Sequence, residues 1–234
     1  MNNNEKSYMH VALVLDASGS MAGIRNATVE SLKKFFKGFA SEEDKTILDV
    51  WQFNDKVRHI VDGADLAKGA PETLEGYETD GCTALYDAVC VGIDELGRKL
   101  AAMPEAERPD GVAFAILTDG FENASTDFTA QDVKSRITHQ TVKYNWQFQF
   151  LAANQDAITA GTGLGIAARA CAQIDATEDG IECMCAPQSS FSMALGEVRK
   201  LAYARNRFRT MAFDDDGCGH TGRGWLHRRG LSGF

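Results

Sequence analysis

In the stretch HVALVLDASGSMAG, from His10 to Gly23, Asp16, Ser18 and Ser20 stand at alternate positions after an apolar run. A sharp turn there would bring one carboxylate and two hydroxyl oxygens to a common point. A second segment of the same build, VAFAILTDG, ends on Asp119 and Gly120. A third, DGCTALYDA, sets Thr83 after Gly81 where a helical pattern begins. Such oxygens can converge into a binding site. Each can equally cap the helix that follows, because Ser, Thr and Asp side chains accept hydrogen bonds from the first N–H groups of a helix. Taken singly, the three segments fit either role.

The elements around them decide whether they can meet. Val11 to Leu15 is a short continuous apolar run, the pattern of a strand buried on both faces, and a helical pattern follows from Arg25 to Phe39. TILDVWQFNDKVRHIVDG reads as two strands joined at Asn54-Asp55, an antiparallel hairpin. Leu85, Val89, Ile93, Leu96 and Leu100 then recur on one helical face. Val112 to Leu117 repeats the buried-strand pattern. A helix from Ala130 to His139 with Thr129 as its cap precedes the strand WQFQFLAA. ARACAQID offers a last strand, and Gln188 to Arg207 a closing helix.

Strands alternating with helices predict an α/β fold: a doubly wound, mainly parallel six-stranded sheet with one antiparallel edge strand and helices on both faces. With the strand order 3-2-1-4-5-6, the strands ending on Asp16 and Asp119 lie side by side at the centre. The crevice beyond their carboxyl ends is where ligands bind in such sheets. The expected organisation is an N-terminal arm over 1–8, one domain over 9–210 and a C-terminal tail over 211–234.

Composition narrows the partners. The net charge of −9 argues against a grip on nucleic acid or an anionic membrane, which demands a basic surface. It favours cations. Six irregularly spaced cysteines and a start, MNNNEKSYMH, without an apolar leader predict reduced thiols and a cytoplasmic protein.

The three loops together, DASGSM, GCTALYDA and LTDG, resemble those of a von Willebrand factor type A domain, over about His10 to Leu151. The forms ILTDGFENAS and FLAANQDA are most similar to bacterial or phage stand-alone members. The resemblance implies a metal-ion-dependent adhesion site. Its metal residues, carried over by position, are Asp16, Ser18, Ser20, Thr83 and Asp119. It also implies Mg²⁺, with Mn²⁺ or Ca²⁺ as substitutes, and a protein partner whose Glu or Asp carboxylate completes the metal's coordination. Small hydroxyls on tight loops suit Mg²⁺, which takes six oxygens at about 2.0–2.1 Å. Gly19 and Gly120 are expected to let the loops close around the ion. Asp87, Glu122, Asn123 and Asp156 are expected on the rim, as solvated loop residues or as selectors of the partner.

Other chemistries fit less well. A phosphatase with an Asp nucleophile would need a second acid where Ser18 stands. Neither Ser18 nor Ser20 lies in a nucleophile elbow, and His59 and His139 read as surface residues. A metal-dependent phosphoester hydrolase and an accessory subunit of a separate ATPase remain as alternatives to a binding module. AGTGLGIAARA has the wrong glycine spacing for a dinucleotide loop and reads as a flexible loop. Cys183, Cys185, Cys218 and His220 lack the usual spacing of zinc ligands.

Overall fold

The computed structural model describes residues 7–39, 44–153 and 156–214. Six strands, β1 (Tyr8–Asp16), β2 (Lys45–Phe53), β3 (Val57–Asp65), β4 (Gly111–Thr118), β5 (Gln147–Ala152) and β6 (Cys171–Gln173), form one sheet in the order β3-β2-β1-β4-β5-β6. Only β3 runs antiparallel, returning from β2 through the hairpin at Asn54-Asp55. The doubly wound α/β sheet expected from the sequence is thus present, with its strand order.

The apolar run of β1 shows why this strand is central. Met9, Val11, Leu13 and Leu15 point to one face of the sheet, against α1 (Arg25–Lys37) and α6 (Ser190–Asp214). Ala12 and Val14 point to the other, against α2 (Leu85–Ala101) and α3 (Ala130–Tyr144). Alternate side chains lie on opposite faces, so a strand covered on both sides must be apolar throughout. β4 follows the same rule and is buried along its whole length. The register pairs Leu15 of β1 with Leu117 of β4, so both strands end at the same level. Asp16 and Asp119 are thereby delivered to one edge of the sheet.

Several boundaries differ from the sequence reading. The helix predicted to stop at His139 continues to Tyr144, where Asn145 ends it in the left-handed conformation at φ 59°. Asn tolerates that conformation better than most residues, but Asn145 carried no other stop signal. The last strand shrinks to three residues, and the closing helix continues to Asp214. AGTGLG is not a flexible loop: α4 (Ala157–Gly163) occupies it, and a Cβ on Gly161 would lie 2.4 Å from Cys171 Sγ. The glycine there serves close packing of helix on strand. A short helix α5 (Glu178–Met184) follows. Residues 1–6 of the expected arm and 215–234 of the expected tail, with Cys218 and His220, lie outside the described residues. Among the described residues the cysteines are unpaired, and no helix is long and apolar enough to cross a membrane.

Candidate metal centre

The loop after β1 turns at once into a short 3-10 helix over Gly19–Ile24, with Ser18 in the capping position but making no side-chain cap. Its hydroxyl faces Ser20 instead, at 3.0 Å, and Ser20 Oγ donates to Asp119 Oδ1 at 2.7 Å. Asp16 is fully buried; its Oδ1 accepts from the Ser18 amide at 2.8 Å and its Oδ2 from the Thr118 hydroxyl. One continuous chain of oxygens therefore joins the first and third loops. The sequence brings it about simply: the strand delivers Asp16 inward, and the 3-10 turn swings Ser18 and Ser20 back over it.

Thr83 comes from the second loop. It is buried, and its main chain is clamped to Asn123: the Thr83 amide donates to Asn123 Oδ1 at 2.9 Å, and the Asn123 amide donates to the Thr83 carbonyl at 3.0 Å. A Cβ placed on Gly120 would stand 3.3 Å from Thr83 Oγ1, so the second and third loops abut at the threonine hydroxyl. The glycine the centre requires most is Gly81, at φ +75°, where a side chain would strike the Asp55 carboxylate at 2.1 Å. Gly19 and Gly120 do not adopt positive φ, and Gly19 would accept a Cβ at ordinary contact distance from the Gly81 carbonyl.

The capping alternative can now be decided. α2 begins one residue after Ala84, which makes no side-chain cap, and its first amides are served from another loop. Tyr86 N donates to Glu122 Oε2 at 2.9 Å and to Ser125 Oγ at 3.0 Å; Asp87 N donates to Ser125 Oγ at 3.1 Å. The hydroxyls of Ser18 and Thr83 are thus not used as caps. The residues expected on the rim hold the loops in shape. Asp87 accepts from the amides of Thr126 and Phe128, both at 2.9 Å, Glu122 from those of Ala124 and Ser125, and Asp156 caps α4. Phe121, between Gly120 and Glu122, is the conspicuous exposed group at 63%.

The electrostatics are those of a site short of positive charge. Burial pushes the Asp16 carboxyl above its ordinary range, and the Asp119 charge adds to this against the hydrogen bonds from Thr118 and Ser18. Tyr77, fully buried, donates its hydroxyl to the Asp16 carbonyl; burial and the two carboxylates raise its pKa, so it stays a donor. The donor set fits a hard cation. In an octahedron with bonds of 2.0–2.1 Å, neighbouring oxygens stand about 2.9 Å apart. The Ser18–Ser20 and Ser20–Asp119 oxygens, at 3.0 and 2.7 Å, already have that spacing.

Comparison with solved structures places the fold. A von Willebrand factor type A protein from Catenulispora acidiphila superposes with a TM-score of 0.52 at 19% identity, over 80% of this chain and 43% of that one. The fold is that of a von Willebrand factor type A domain. The manganese-loaded TRAP protein of Plasmodium vivax matches at TM-score 0.53 and 12% identity, over 79% of this chain and 73% of that one. The proximal thread matrix protein 1 of the mussel byssus, with zinc in its metal-ion-dependent adhesion site motif, gives 0.56 at 15% identity, over 82% and 46%. The chain spans less than half the length of the Catenulispora and mussel proteins. No family model matches the sequence, and no curated protein sequence matches it.

A second polar cluster escaped the sequence reading. Asp49, fully buried in β2, faces His10 Nε2 at 2.5 Å, His59 Nε2 at 2.8 Å and Lys99 Nζ at 2.9 Å. Asp49, His59 and Asp62 have ligand atoms within 4.8 Å of one another, as a cation would need. Lys99 Nζ already stands between the two carboxylates, however, 2.7 Å from Asp62, and supplies the positive charge. His59 is exposed, as the sequence reading has it, but engaged: it also stacks on Trp51 with ring centroids 4.3 Å apart. The available signal was the acid inside the strand pattern TILDVWQF.

Proposed function

We propose that this chain is a divalent-metal-dependent protein-binding module without catalytic activity of its own. Ser18, Ser20 and Thr83 would hold Mg²⁺ through their hydroxyls, and Asp16 and Asp119 would supply the balancing charge. Mn²⁺ or Ca²⁺ could substitute. Bound there, the cation acts as a Lewis acid for an incoming anionic oxygen. The chain's own residues do the rest. Thr118 and the Ser18 amide hold Asp16 on both oxygens, so its charge is felt without dominating the coordination. Neutral hydroxyls leave the cation strongly attractive to a carboxylate from outside, and a partner's Glu or Asp would complete the shell.

The observation that carries this reading is the hydroxyl chain Ser18–Ser20–Asp119, spaced as neighbouring ligands and not used as helix caps. The manganese and zinc held by two proteins of the same fold support a divalent ion. Hydrolysis is not favoured. The exposed thiol nearest these loops, Cys82, is pushed to a higher pKa by the Asp55 charge and hydrogen bond, the opposite of what an activated nucleophile needs.

The test is affinity capture from an extract, with Mg²⁺ and with EDTA, using the wild type and Thr83→Ala. Captured proteins should depend on the metal and on Thr83, and charge-neutral substitution of the partner's acid should abolish capture. Capture that persists in EDTA would reject the metal bridge.

A further inference from the structure

A cavity of about 300 Å³ lies beneath the start of β4, lined by Gly111 and Val112. The candidate metal centre follows the far end of the same strand, roughly 25 Å away at 3.3 Å per residue. Its apolar lining is Leu100 of α2, Val112 and Trp146, each nearly covered, with the ring of Tyr144, 46% exposed, beside them. Its rim is basic, carrying Arg108, Arg205 and His139. That is a local reversal in a chain whose net charge is −9.

Main-chain carbonyls hold the two guanidiniums in place, and neither forms an ion pair among the described residues. Arg108 Nε donates to the Met103 carbonyl at 3.1 Å and its Nη2 to the Ala101 carbonyl at 3.1 Å, which fastens it across the C-terminal end of α2. Arg205, reaching down from α6, donates from Nη1 to the Asp110 carbonyl at 3.2 Å. Main-chain carbonyls orient a guanidinium but leave its charge and several of its five N–H groups to spend. The neighbouring Asp110 carboxylate accepts from the Tyr8 amide at 2.9 Å. His139 adds a third nitrogen, its ring 5.7 Å from that of Tyr144.

An oriented pair of arginines over an aromatic and aliphatic floor matches an organic anion with a planar apolar body. The body would lie against the ring of Tyr144, and the anionic group would meet the fork of N–H donors, the arrangement in which Arg exceeds Lys. We propose that this cavity binds a small aromatic acid of one or two rings, at a site separate from the metal centre.

The test uses the full-length protein and three probes of one shape: naphthoate, naphthyl phosphate and the neutral naphthamide. Binding is followed by ligand-observed NMR and by thermal shift. Naphthoate or naphthyl phosphate should bind saturably, at least about tenfold tighter than the amide, a difference that one charge-assisted contact supplies. Arg108→Gln and Arg205→Gln should each weaken the anion about tenfold and leave the amide unchanged. Since Arg108 also ties down the end of α2, Arg205→Gln keeps the test valid should the first variant unfold. Which anion binds better tells carboxylate from phosphate as the natural group. Asp119→Asn should leave the affinity untouched, so that failure here is separable from failure at the metal centre. Equal binding of anion and amide, no saturable binding of any probe, or full affinity in Arg205→Gln would each overturn the proposal.

Discussion

Without a cation, Asp16 and Asp119 are two carboxylates on adjoining loops, both almost fully buried. Their repulsion should cost about 1–2 kcal/mol at the effective dielectric of a partly wet site. Asp119→Asn removes one charge while keeping an oxygen to accept from Ser20, whose hydrogen bond to Oδ1 measures 2.7 Å. In EDTA the variant should therefore melt at or above the wild type. With metal the order should reverse. A ligand at about a hundred times its dissociation constant adds about 2.7 kcal/mol to the folded state. In a chain of this size that raises the melting temperature by about 5–11 °C. The wild type should gain this shift and the variant should gain almost none. Thermal melts followed by circular dichroism, in EDTA and across a Mg²⁺ or Mn²⁺ series, would show the two curves crossing. A variant that melts well below wild type in EDTA and still gains the full metal shift would refute the reasoning, for Asp119 would then be a structural acid and no part of a cation site.

Glu122→Ala removes the acceptor for the amides of Tyr86, Ala124 and Ser125. It should lower the urea-unfolding free energy by about 2 kcal/mol while changing Mn²⁺ affinity only a few fold, because Asn123 still clamps Thr83. At the second cluster burial raises the Asp49 carboxyl, but hydrogen bonds from His10 and Lys99 outweigh it and hold the pKa at about 2, below the ordinary 3.8. A depressed carboxyl stabilises the fold above its unfolded value and loses that contribution as pH falls through the folded one. Between pH 5 and pH 2 the wild type should therefore lose about 2 kcal/mol that Asp49→Asn does not lose, measured by chemical denaturation at each pH.

How much of this could be read from the chain differs by element. β1, β2, β4 and the face of α2 announce themselves, because a central strand must be apolar on both faces and a packed helix must repeat at its own period. Asp16 and Asp119 were legible as a pair, since they follow strands that end at one level, whereas Thr83, which follows no strand, joined them only through the resemblance. What the sequence could not show was whether Thr83 caps α2; that depends on Glu122 and Ser125, which reach α2 from a loop some forty residues away. Long-range caps leave no local spacing to read. The helix in AGTGLG was likewise set by a neighbour: α4 packs on β6, and Gly161 lets it come close. The Asp49 cluster joins β1, β2, β3 and α2, so its members are far apart in sequence.

The most direct measurement is the anomalous difference map of crystals soaked in Mn²⁺. The account predicts a single strong peak in contact with the hydroxyls of Ser18, Ser20 and Thr83, at about 2.1–2.2 Å, beside Asp16 and Asp119. A peak between Asp49, His59 and Asp62 instead, with Lys99 displaced and the three loops empty, would contradict it.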